Sequence, residues 1–90
     1  MKKAVITVTG KDSVGIIAEV ATVCATYNAN ILDVTQSIIQ DYFAMIMLAD
    51  IEKLSVSFAE FSDILHALGE KKHLEIQSMH EDIFNTMHHI

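Results

Sequence analysis

Apolar and polar positions alternate from Lys3 to Thr9, with Ala4, Ile6 and Val8 on one side and Val5, Thr7 and Thr9 on the other, which predicts a strand. The run Gly10-Lys11-Asp12-Ser13 ends it. From Val14 the period changes: Ile16/Ile17, Val20, Val23/Cys24 and Tyr27 recur at helical spacing and make one buried stripe. Asp12 or Ser13 is the expected N-cap of that helix, and Asn28 or Asn30 its expected stop. Alternation resumes over residues 31–40, where Leu32, Val34 and Ile38 share a face while Asp33, Thr35 and Ser37 point away. A short turn at Gln40-Asp41 leads into Tyr42–Ala49, which is apolar at both phases, as expected of a central strand covered above and below. These two strands therefore form a hairpin.

Ser57 with Glu60 three positions on is a capping-box pattern, and Phe58, Phe61, Ile64, Leu65 and Leu68 continue at helical spacing through Gly69 or Lys72. Residues 73–79 alternate again, with Leu74 and Ile76 inward and His73, Glu75 and Gln77 outward, a solvated edge strand. Residues 81–90 place Ile83, Phe84, Met87 and Ile90 on one side of a short terminal helix. The order strand, helix, strand, strand, helix, strand predicts an α+β, ferredoxin-like βαββαβ sandwich: four antiparallel strands with two helices on one face. Right-handed crossovers put the first and third strands in the centre. The expected division is one domain over residues 1–80 and a helical extension over 81–90.

Length and charge narrow the function. A chain of 90 residues fits one domain, and at that size folding buries only about 60–65% of the chain's surface, so a partner surface adds stability. The doubly apolar third strand points the same way: two helices cover one face, and the other needs the terminal helix or a second copy. A homo-oligomer, most simply a dimer, is expected. Net charge is −6 and all basic residues are lysines, so the guanidinium fork that grips phosphate and guanine is absent and the field repels polyanions. Nucleic-acid binding is not expected. The longest apolar run, 43–49, is too short to cross a bilayer, and the start shows no signal-peptide core, so a cytoplasmic location is expected. Cys24 stands alone, which excludes an internal disulfide, and on the apolar stripe its thiol should have a raised pKa and little reactivity. His80, His88 and His89 have poor spacing for a shared ion, so no metal is expected. No P-loop, dinucleotide glycine motif or catalytic triad is present, His66 lies far in sequence from Asp12, and neither enzymatic activity nor a cofactor is expected.

The loop Gly10-Lys11-Asp12-Ser13-Val14-Gly15 carries the chemistry that remains. A helix start presents unpaired amides suited to a carboxylate, Gly15 lets a ligand approach the backbone, and Asp12 adds an anionic group beside it. Those two sites match the two ends of an α-amino acid. The plainer alternative is that Asp12 caps the helix and Gly15 relieves packing.

At this loop the chain resembles the ACT domain family, on Thr7-Val8-Thr9-Gly10-Lys11-Asp12-Ser13-Val14-Gly15-Ile16-Ile17 and then Asn30-Ile31. It is similar to the ACT domains of the glycine-cleavage repressor, which commonly show Asp-Arg-Pro-Gly-Ile here; Ser13 and Val14 stand in place of Arg and Pro. His80-Glu81-Asp82-Ile83-Phe84-Asn85-Thr86-Met87-His88 resembles the ending of stand-alone ACT proteins. The resemblance implies a regulatory amino-acid-binding module whose site is lined by Asp12, Gly15 and Asn30, near the edge where subunits pair, and the amides of the helix start add Ser13, Val14 and Ile16 to the expected lining. The competing expectation is an interaction subunit that docks a protein partner and takes no small ligand.

Overall fold

The computed structural model describes residues 1–11 and 14–87. Its elements are β1 (Lys3–Gly10), α1 (Ile16–Thr26), β2 (Asn30–Ile39), β3 (Tyr42–Asp50), α2 (Phe58–Lys72), β4 (Glu75–His80) and α3 (Glu81–Met87). The sheet is antiparallel in the order β2-β3-β1-β4, so β1 and β3 are central, as the crossover argument requires.

Strand alternation builds the core. Ala4, Ile6 and Val8 of β1 pair with Ala49, Met47 and Met45 of β3, and all six side chains are buried toward the helices. Onto that face α1 places Ile16, Val20 and Cys24, while α2 places Phe61 and Leu65. The two helices are joined on their outer side by an ion pair between Lys72 Nζ and Glu19 Oε2 at 3.0 Å.

The helix ends follow local chemistry. Ser57 Oγ accepts from the Glu60 amide at 3.1 Å, the expected cap of α2. Both long helices stop at a non-glycine residue in the left-handed region, Asn28 at φ 63° and His73 at φ 60°. Ala29 N–H donates to Cys24 O and Asn28 N–H to Ala25 O; Leu74 and His73 repeat that pattern onto Gly69 and Glu70. This paired 6→1 and 5→2 bonding satisfies carbonyls the helix would otherwise leave open. His73 thus ends α2 rather than opening the last strand.

Three expectations need correction. The start of α1 is not capped by a side chain: the helix begins at Ile16, and its N-cap is Gly15 in the left-handed region at φ 75°. Asp12 and Ser13 lie outside the described residues. Next, β3 is covered on one face only within the chain. Phe43, Met45, Met47 and Ala49 are buried, whereas Tyr42 and Ile46 on the opposite face are 60% and 44% exposed. β3, next to the edge strand, gains helices on one side, and the described contacts of α3 are mainly with β1 and β4. There Val5 is buried, but no residue of α3 itself is. Ile90 lies outside the described residues. Finally, the register shifts between Ile31 and Asp33, so Ile31, opposite Ala49, packs on the core and Leu32 is the extra residue of a bulge. Val34 and Ile38 do share the helix-side face, opposite Met47 and Phe43.

Candidate functional site

Of the six residues expected to line a ligand site, Asp12 and Ser13 lie outside the described residues, and of the other four Asn30 lies at the opposite end of α1 from Val14, Gly15 and Ile16. Val14 and Gly15 are exposed in the turn that starts α1, and the Ile16 side chain is buried in the core, leaving only its backbone amide to face a ligand. Asn30 opens β2 opposite Asp50, which in turn pairs with Lys3 at the start of β1; Gly10, by contrast, pairs with Phe43 at the far end of the same strands. Eleven residues of α1 at about 1.5 Å each separate Gly15 from the end that carries Asn30, roughly 16 Å.

The start of α1 is suited to an anion in one respect. Glu19 N–H is the first amide of the helix to close onto Gly15 O, at 3.1 Å, so the amides of Ile16, Ile17 and Ala18 precede the intrahelical ladder. The neighbouring Lys11 ammonium lies 5.5 Å from the Tyr42 ring centroid, which ties the loop to the hairpin turn.

A cavity of about 730 Å³, open to solvent, lies at the opposite end of α1, a size in the range of small-molecule sites. The helix contributes Ala21, Cys24 and Ala25, and the turn after it Asn28 and Ala29. The edge strand adds Asn30 and Ile31, the last residue of β3 adds Asp50, and the turn after it adds Lys53. Small side chains on the rim of α1 create this space, because longer ones would fill the gap between helix and edge strand. Of this group only Asn30 was expected in a ligand site, and by the family resemblance rather than by periodicity. The alanines at 21 and 25 beside the buried stripe were a faint signal; Lys53 gave none, since the turn at 51–54 brings it in.

The polar groups there are available. Asp50 Oδ1 accepts from the Glu52 amide at 2.9 Å and keeps its second oxygen, and among the described residues neither Lys53 nor the side-chain amides of Asn28 and Asn30 have a partner. Cys24 lines the cavity but is buried, and burial pushes its thiol from 9.0 up to about 11. It is a weak nucleophile at neutral pH. Among the described residues no group of three His, Cys, Asp or Glu could hold a metal ion. Among the described residues no helix is long and apolar enough to cross a membrane.

The edge strand beside the cavity is unpaired on its outer side. Ile38 is 71% exposed, and Leu32, Val34 and Ile39 are exposed with it. An apolar edge of this kind invites another strand.

Comparison with known proteins agrees with this architecture. A family model of the ACT domain matches residues 2–79. A UPF0237 protein of Methanococcus maripaludis is 48% identical over 90 residues, covering all of both chains. Among solved structures, an ACT domain protein from Streptococcus pneumoniae is 31% identical with a TM-score of 0.80, covering 92% of this chain and 93% of that one. A protein assigned as a glycine cleavage system transcriptional repressor shares the fold at 24% identity and a TM-score of 0.70, over 88% of this chain and 45% of that one.

Proposed function

The chain belongs to the ACT domain family, a family of regulatory ligand-binding domains, and from that premise we propose that it is a non-enzymatic amino-acid sensor that works as a homodimer paired through β2. The observation that carries this reading is the separation of Gly15 from Asn30 at opposite ends of α1, together with the exposed apolar edge strand. Antiparallel pairing of two β2 strands reverses their direction. Asn30 and the cavity of one copy then lie beside the partner's hairpin turn and β1–α1 loop, so a site split within the chain is made whole across the interface.

In that arrangement Asp12 of one copy faces the ammonium of the ligand, since an ionised carboxylate only accepts, and Asn30 of the other orients it, since a carboxamide donates and accepts. A ligand held by both copies stabilises the pair over the single chain and shifts that equilibrium, which is the output available to a domain without a catalytic centre. The thermodynamic link is testable: a ligand at a hundred times its Kd adds about 2.7 kcal/mol of stability.

The experiment is a thermal-shift screen of the twenty amino acids, with light scattering on the parent and on Ile38→Lys. The exposed Ile38 side chain makes little difference to the fold of one chain, while a lysine there opposes edge pairing. A ligand-dependent rise in Tm for the parent, and a monomer without that rise for the variant, support the reading. A parent that is monomeric, or a variant that responds like the parent, refutes it. A second reading, a docking subunit without a small ligand, is favoured by the open sheet face with Tyr42 and Ile46 and by the exposed Ile83 and Met87 of α3. No response to any amino acid in a dimeric parent selects it.

A further inference from the structure

The cavity at the C-terminal end of α1 combines a single unpaired cation with a floor of small apolar groups. We infer that it selects α-amino acids with uncharged apolar side chains, with Lys53 taking the ligand carboxylate and the Ala21–Ala25 rim with Ile31 receiving the side chain. This rests on the amino-acid-sensing reading above and names the ligand class and the residues that set it.

The charge pattern decides the head group. Lys53 has no ion-pair partner among the described residues, although Asp50 lines the same cavity. An ammonium that stays unpaired beside a carboxylate-bearing neighbour is free for an incoming anion at no cost to an existing bond. The unbonded side-chain amides of Asn28 and Asn30 line the same cavity and are donors for the same carboxylate. The ligand ammonium is then left to Asp50 or to the partner's loop.

The wall decides the side chain. The side chains of Ala21, Ala25 and Ala29 carry no group that bonds a polar side chain, and Ile31, packed against the core, lines the same cavity. In this open cavity a hydroxyl, amide or charged terminus set against the three alanines gains no protein partner in return for the water it gives up on that side, a cost an apolar side chain does not incur. A branched aliphatic side chain instead exchanges water for the alanine rim. Cys24, held protonated at the back of the site, behaves as one more apolar contact.

Two variants separate head group from wall. Calorimetry with leucine, valine, serine, aspartate, lysine and leucinamide, which lacks the carboxylate, is run on the full chain, on Lys53→Met and on Ala25→Phe. Both sites are exposed, and light scattering with circular dichroism checks that fold and pairing persist. The parent is expected to bind leucine and valine at least tenfold more tightly than serine, aspartate or lysine, and to reject leucinamide. Lys53→Met should bind leucine and leucinamide alike and weakly, and Ala25→Phe should lose leucine binding by tenfold or more. Tighter binding of a charged or hydroxylated amino acid, or unchanged leucine binding in both variants, overturns the inference while leaving amino-acid sensing in place. Failure of the parent to bind any of the six compounds overturns the inference, and it overturns amino-acid sensing as well only when none of the twenty amino acids raises the parent's Tm.

Discussion

Replacing Gly69 by alanine sets helix propensity against packing, and the structure fixes the sign. Gly69 sits inside α2, where alanine is favoured over glycine by about 1 kcal/mol. Yet an added Cβ would stand 2.7 Å from the Leu74 carbonyl oxygen and 2.9 Å from Ile76 Cγ1. The first of these is backbone, and it is held in place because Leu74 N–H donates to Gly69 O at 2.8 Å in the helix stop. The last turn of α2 must therefore lift from β4 by several tenths of an ångström. Overpacking of this kind costs about 1–3 kcal/mol, so after the propensity gain a net loss of up to about 2 kcal/mol is expected. For a domain of this length that lowers Tm by up to about 15 °C. Thermal unfolding followed by circular dichroism reads it directly, with Ala67→Gly on the exposed side of the same helix as the comparison. That exchange should also lower stability, by about 1 kcal/mol. A Gly69→Ala protein more stable than the parent would show that propensity wins and that α2 and β4 are not in the close contact described.

Gly15 adopts φ 75° with nothing within 4 Å of an added Cβ, so Gly15→Ala should cost about 1–2 kcal/mol through backbone conformation alone, and Gly15→Asn less, because asparagine tolerates the left-handed region; a larger loss for Asn in urea titration would point to crowding instead. Cys24 gives a pH dependence. Its folded value is raised from 9.0 to about 11, so its contribution is complete below the unfolded value and falls as pH rises through that window. The stability of the parent relative to Cys24→Ala should drop by roughly 2–3 kcal/mol between pH 9 and 11, and a difference that stays constant by chemical denaturation at both pH values refutes the assignment.

Element order was legible because it rests on local period. The change from alternation in β1 to helical spacing in α1, and the Ser57 cap with Glu60, are written in neighbouring residues, and together with crossover handedness they fix the strand order. Even Asn28 announced the end of α1, since few residues besides glycine and asparagine accept φ 63° without strain. What depended on distant partners was not legible. The apolar phases of β3 are equal in the sequence, but only the side facing α1 and α2 is covered, because coverage is a property of what packs there. The bulge at Leu32 resets which residues of β2 face inward, a matter of register against β3. Gly69 reads as a helix terminator in one dimension and is a contact point in three, where β4 passes under the last turn of α2. The site shows the same division. Chemistry-bearing residues such as Asp12, Gly15 and Asn30 can be named from a linear motif, but whether they meet depends on the length of α1 and the direction of the strands. The sequence supplied the groups and the period of each element; the tertiary structure put Gly15 and Asn30 at opposite ends and opened a cavity beside Lys53, because distances across a sheet are set by packing and register and not by neighbours along the chain.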